Sequence, residues 1–183
     1  ARSVAGFDLY EAIESCADLL ENFGGHVYAA GLTMREQNLG EFVTRIEKFI
    51  GEKITDEMLT PVTDIDAKLE FSQITPKFFR LLKQFQPFGP GNSNPVFLTE
   101  SVSDGGNGRK VGAGGVHMKL DLIDEKQPFH QIPAIAFNMA DFYDYIKAGN
   151  PFDICYSIVE NYYRGNSTLQ LRIKDIKERE EFI

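Results

Sequence analysis

Val116-His117-Met118-Lys119-Leu120-Asp121-Leu122 alternates apolar and polar residues without a break. A period of two marks a strand with one buried and one wet face. The same period returns at Ile154, Tyr156 and Ile158. It returns again at Leu169, Leu171 and Ile173, which alternate with Gln170, Arg172 and Lys174. Ile132 to Phe137 is a short apolar run of strand length, and Asp141 to Ala148 reads as a helical turn. Arg164-Gly165-Asn166 supplies the turn residues of a hairpin between the last two strands. From Val96 onward the pattern is therefore all-β. About five short strands with one inserted helix predict a small closed or nearly closed barrel.

Upstream the period changes. Thr75 to Phe85 reads as a helix with Pro76 in its first turn, stopped by Pro87 and Gly89-Pro90-Gly91. A short strand is expected around Ile65 to Phe71, and residues 51–61 look like a junction. Leu9, Ala12, Ile13, Cys16, Leu19, Leu20 and Phe23 share one helical face, which predicts a helix from Asp8 to Phe23. Asp8 would cap it with Glu11 three residues on, and Gly24 would end it. A strand over Val27 to Thr33 and a helix over Asn38 to Ile50, ended by Gly51, complete this part. Helix, strand, helix is too little to cover both faces of a sheet. The fold class is thus α+β, a partial α/β domain over residues 1–56 and a barrel over residues 60–183. Ala1 falls within a helical-domain pattern and no initiator Met precedes it, so the chain reads as a piece of a longer protein.

At 43% hydrophobic and 25% charged, the 183 residues have the balance of a soluble globular protein. Global disorder is excluded, and no apolar run approaches a membrane span. No signal peptide is visible. Cys16 and Cys155 stand far apart and read as core thiols, which points to the cytoplasm. The net charge of −8 argues at first against a nucleic-acid partner. Residues 1–70 carry 14 acidic and 6 basic side chains and account for all of it. Two stretches of the neutral remainder lack acid. Gly105–Leu120 holds Arg109, Lys110 and Lys119, and Tyr162–Ile173 holds Arg164 and Arg172. Such stretches form a local basic face or a merely solvated surface.

Phe23-Gly24-Gly25-His26, followed by Ala29-Ala30-Gly31, is the segment with most chemical content. Two glycines allow close backbone approach and present N–H groups to an anion. His26 would then donate to a phosphate oxygen or face a metal-bound one. The plain alternative is a helix C-cap followed by a satisfied histidine.

Gly24-Gly25-His26 with Ala29-Ala30-Gly31 resembles the signature of the DHH-associated domain of DHH-family phosphoesterases. Arg2-Ser3, Gly6-Phe7-Asp8-Leu9 and Cys16-Ala17-Asp18-Leu19-Leu20 are similar to its form in the RecJ family of single-strand-specific exonucleases. The second half agrees independently. Phe85-Gln86-Pro87-Phe88-Gly89-Pro90-Gly91-Asn92, then Pro95-Val96-Phe97, looks like the connection to the OB-like domain of that family. Val111-Gly112, His117 to Leu120, Ala134 to Asn138 and Asn161 to Gly165 continue the likeness, as do Leu169-Gln170-Leu171 and Asp175-Ile176.

The resemblance implies a metal-dependent hydrolase that removes nucleotides from the 5′ end of single-stranded DNA during repair and recombination. Its manganese or magnesium would be held by a DHH domain. His26, His117 and His130 are widely spaced and no DHH triplet occurs, so no metal ligand is expected in this chain and the fragment alone is expected to be inactive. Arg2 and Ser3 would meet the 5′-terminal phosphate. Gly24, Gly25 and His26 would face the scissile phosphate, His26 as the catalytic group. The barrel would hold single-stranded DNA through Lys110, Lys119, Tyr162, Tyr163, Arg164 and Arg172, with Phe137 a weaker candidate. In a strand, Tyr162 and Tyr163 point to opposite faces, so only one would stack. Loop 104–115, rich in glycine, would wrap DNA or simply move. A single-strand-binding protein is an open second partner. Two other readings stand beside this one: an OB-type protein-interaction module, and a DHH phosphoesterase acting on short RNA or small nucleotides. The barrel favours a long substrate, because small ones need no extended groove.

Overall fold

The computed structural model describes residues 1–124, 126–163 and 165–179, without the side chains of Gln127, Pro128 and Tyr163. The chain divides into two compact units, one ending at Val62 and the other beginning at Thr63.

In the first unit α1 (Leu9–Glu14) is capped by Asp8, whose carboxylate accepts the Glu11 N–H at 3.0 Å. The helix stops far short of Phe23. A single 3₁₀ turn follows, and then β1 (Leu20–His26) pairs antiparallel with β2 (Ala29–Met34). Gly24 is consequently a strand residue opposite Gly31 and not a helix cap. The helical spacing of Leu19, Leu20 and Phe23 misled because the two-residue hairpin turn and the strand partner lie downstream of it. α2 (Leu39–Lys53) runs through Gly51, and α3 (Asp56–Leu59) occupies the expected junction. Leu9, Ile13 and Ala30 form one small buried cluster, and Cys16, Leu19 and Phe42 form another. Of the predicted stripe on α2 only Phe42 is fully buried.

The second unit opens with β3 (Ala67–Lys68), much shorter than the predicted strand, and α4 (Pro76–Leu82). Thr75 caps α4 by accepting the Phe78 N–H at 3.1 Å. The turn after it is a latch: Gly89 and Asn92 exchange backbone hydrogen bonds, and Asn92 Nδ2 donates to the carbonyls of Phe85 and Pro87. Then come β4 (Phe97–Asp104), β5 (Arg109–Val111), β6 (His117–Asp124) and β7 (Gln127–Ala136). A short helix, α5 (Tyr143–Lys147), precedes the long hairpin of β8 (Phe152–Tyr163) and β9 (Asn166–Glu178).

The sheet order is β3-β4-β8-β9-β7-β6-β5, and β4 also pairs with β6. That extra pairing closes a five-strand ring, β4-β8-β9-β7-β6. β7 and β9 run parallel and the other ring pairs run antiparallel. With α5 between its third and fourth strands, this is the OB architecture. Closure depends on a bulge in β4 between Thr99 and Val102. Ser101 takes a positive φ of 56° there and donates its N–H to Asp153. The bend lets the front of β4 pair with β8 and its end with β6, the usual way a bulge turns a barrel corner.

Alternation places Met118, Leu120, Leu122, Ile154, Tyr156, Ile158, Leu171 and Ile173 in the core. Tyr156 donates its hydroxyl to Thr99 Oγ1 at 2.8 Å, and Thr99 passes its own proton to the Leu69 carbonyl. Burial pushes the Tyr156 phenol up to about 12, so it stays neutral in the core.

Candidate nucleic-acid interface

In the first unit β1 and β2 are joined by Val27 and Tyr28 alone, so His26 pairs with Ala29 and Gly25 with Ala30. Arg2 bridges Ala29 from the other side. The Ser3 N–H donates to the Tyr28 carbonyl and the Ala30 N–H to the Ala1 carbonyl, so residues 1–3 act as a third strand. Directly opposed residues of an antiparallel pair share a face. Arg2, the small Ala29 and His26 therefore form one row, with the cation and the imidazole at its ends. His26 is exposed, and its Nδ1 accepts the Tyr28 N–H at 3.2 Å. That bond leaves the proton of the neutral ring on Nε2, the nitrogen free to meet an anion.

Gly24 has open space before it, whereas Gly25, at φ +154°, has none. Ser3 turns its hydroxyl to the Phe7 carbonyl at 2.6 Å, so its proton is already committed.

In the second unit, register decides which cations meet. Arg109 opposes Lys119, Lys119 opposes Ile135, and Ile135 opposes Arg172. The row crosses β5, β6, β7 and β9 on the outer face of the barrel, about 14 Å at ordinary strand spacing. A cleft of about 200 Å³ opens beside it, lined by Asn107, Arg109, Lys119, Asp121, Asn161 and Gln170 among others. One carboxylate, Asp121, lines it beside two cations, Arg109 and Lys119. The second and third strands of an OB barrel and their flanking loops are where such folds take oligonucleotides. Arg172 lies over the ring of Phe137 at 5.2 Å, and His117 meets the same ring edge-on at 5.1 Å. Phe137 is 43% exposed, so this cation–aromatic stack borders the row.

Other predicted residues lie elsewhere. Lys110 neighbours Arg109 but opposes Met118, a core residue, and reaches over the Tyr143 ring of α5 at 5.1 Å. Tyr162 is 71% exposed and sits beside Glu160. Lys83, then Ser167 and Tyr162, hold that carboxyl down at about 2. The side chain of Tyr163 and all of Arg164 lie outside the described residues. The larger aromatic cleft, about 260 Å³ between Phe79, Phe88 and Phe97, has Lys83 at its rim, and that lysine is paired with Glu160. An aromatic cleft with a neutralised rim suits a phosphate polymer less well than the cationic row.

The glycine-rich loop is built, not slack. Asp104 accepts the N–H groups of Gly106, Gly108 and Asp121, and β5 is thereby laid along β6. Sequence reasoning did not select Arg109, Asn107, Asn161 or Gln170 for the site. Their shared face exists only in the register, and Arg109 alone carried a signal, its charge in an acid-free stretch.

Together these features define an OB-type barrel that follows, in the sequence, a unit built round a Gly-Gly-His hairpin. The RecJ OB domain family matches residues 65–175 and the DHHA1 domain family matches residues 1–52. The chain belongs to the RecJ family. It is 30% identical over 177 residues to the single-stranded-DNA-specific exonuclease RecJ of Bacillus subtilis, covering 96% of this chain and 22% of that protein. The Haemophilus influenzae protein of the same name is 27% identical, with 99% of this chain and 32% of the relative covered. The crystal structure of Thermus thermophilus RecJ with Mg2+ superposes with a TM-score of 0.71 at 26% identity, over 98% of this chain and 26% of that one. Its counterpart with Mn2+ gives 0.72, over 98% and 25%. The chain thus spans between about a fifth and a third of the length of these relatives.

Proposed function

We propose that this chain is the substrate-holding region of a RecJ-type exonuclease that degrades single-stranded DNA from the 5′ end in repair and recombination. The observation that supports it most is the row of Arg109, Lys119 and Arg172 on the oligonucleotide-binding face of an OB barrel. Cations at strand spacing track a phosphate backbone, and bordering aromatics accept bases whatever their sequence. In the first unit, Arg2 and the Nε2–H of His26 supply donors for a phosphate, and the open backbone at Gly24 lets it come close. These residues bind and orient, and His26 stabilises developing negative charge.

Among the described residues no group of three His, Cys, Asp or Glu side chains stands ready to hold a metal ion. Magnesium or manganese, which would activate the attacking water in such enzymes, finds no ready set of ligands among the described residues. We assign it to a DHH domain elsewhere in the parent protein. In this reading the enzyme works in the cytoplasm, where Cys16 and Cys155 remain thiols, and meets a single-strand-binding protein on the same DNA.

The test is binding of fluorescent single-stranded DNA to this 183-residue chain at low salt. Lys119→Glu should weaken binding about tenfold or more, because it reverses a charge in the middle of the row. Equal retention of duplex DNA would defeat strand selectivity. A chain that ignores single strands altogether would favour a protein-interaction module, for which the aromatic cleft under α4 is the available surface.

A further inference from the structure

The hairpin between β6 and β7 carries the most exposed large hydrophobic side chain among the described residues. Phe129 is 97% accessible. A single exposed apolar residue is ordinary in itself. Here the backbone presents it. Ile123 pairs with Gln131 while Asp124 pairs with Gln127, so β7 has more residues than β6 over this stretch, and the excess includes Phe129. Bulges of this kind re-aim side chains at barrel rims and beside functional sites. The strand end before it is fastened: Asp124, the last residue of β6, is buried, and its carboxylate accepts the Lys126 N–H at 2.9 Å. The exposed Lys126 and His130 stand close in sequence on either side.

Position supplies the second argument. β6 and β7 are the strands that carry Lys119, Asp121 and Pro133 in the cationic cleft. Phe129 lies four residues from Pro133 on the same strand, so the chain can separate them by at most about 13 Å. The cleft and the ring are therefore two stations on one strand pair, the first cationic and the second aromatic. Backbone-tracking cations followed by an unoccupied ring face is the pattern by which proteins hold single-stranded nucleic acid without reading sequence.

We propose that Phe129 is a base-stacking platform that extends the single-strand path from the cleft to the tip of the β6–β7 hairpin. This rests on the reading of the barrel as a single-strand-binding module. It adds a contact that only strands long enough to leave the cleft would make.

The chain contains no tryptophan, which makes the test direct. Phe129→Trp places one indole at the tip, and its emission reports stacking. Titration with an oligothymidylate of about 15 nucleotides should quench it, while one of about 5 should bind without quenching. In parallel, Phe129→Ala should lower affinity for the long strand about 5- to 100-fold, the worth of one stacked base, and leave the short strand unaffected. Anisotropy of labelled DNA monitors binding independently of the indole. Unchanged emission at saturating long strand, or equal affinity of Phe129→Ala for both lengths relative to the parent chain, overturns the hairpin platform. If Lys119→Glu still weakens binding about tenfold in that case, the barrel reading survives without it. Absence of binding by the unaltered chain overturns both.

Discussion

A methyl group on Gly25 would stand 2.5 Å from the Ala30 Cα and closer still to the Ala29 carbonyl oxygen, both parts of the backbone that β1 pairs with. The φ of +154° adds a conformation that side chains other than glycine avoid. Gly25→Ala should therefore cost at least about 2 kcal/mol and be visible as a lowered unfolding midpoint. Gly24 differs in both respects. Nothing lies within 4 Å of a Cβ built there, and its φ is not positive. Gly24→Ala should be neutral or gain up to about 1 kcal/mol, as alanine does over glycine in a strand. If the space before Gly24 admits a phosphate, the same change should slow DNA hydrolysis by the parent enzyme with no loss of stability. A fall in midpoint for Gly24→Ala, or none for Gly25→Ala, would refute this division between a structural and a functional glycine.

Elements show what the sequence could and could not disclose. Strands β6, β8 and β9 were legible because a half-buried strand writes its period into consecutive residues. The strand β1 was not. Its apolar residues continue the spacing of α1, and only pairing with a distant strand makes it extended. Loop 104–115 gave no sign of β5, since the feature that orders it is one carboxylate, Asp104, collecting three backbone N–H groups. The hairpin glycines could be named from sequence, but the row Arg109, Lys119 and Arg172 could not, because it needs three registers at once. The tie between the turn that follows α4 and β8 was equally hidden, and it has a pH signature. Lys83 pairs with Glu160, which Ser167 and Tyr162 also support, and the carboxyl is held at about 2 against an ordinary 4.5. A depressed carboxylate stabilises the fold above its unfolded value and loses that contribution as pH falls through the folded one. The unfolding midpoint of Glu160→Gln should lie below that of the parent chain near neutrality, and the two should converge between pH 4.5 and about 2. A gap that persists unchanged at the acid end of that window would show that the ion pair does not stabilise the barrel.

At the scale of the whole molecule, the proposed function sets an acidic chain against an anionic polymer. The net charge of −8 belongs to the first 70 residues, while residues 71–183 are neutral overall and bring three outward cations, Arg109, Lys119 and Arg172, into one row. Affinity should then be set by local charge and should carry the mark of released counterions. Each neutralised phosphate of a single strand contributes about −0.7 to the slope of log affinity against log salt. Three cations predict a slope of about −2, and removing any one of them to alanine should reduce its magnitude by about 0.7. The parent chain and its Lys119→Ala variant should therefore differ most at low salt and converge as salt rises, because stacking on aromatic rings is left intact. Lys110→Ala is the internal control. It carries the same charge one residue from Arg109, yet it sits over Tyr143 on the other side of the strand, so its slope should match the parent's. A slope reduced as much by Lys110→Ala as by Lys119→Ala would mean that DNA responds to the charge of the loop as a whole, and the register-defined row would lose its claim to the site.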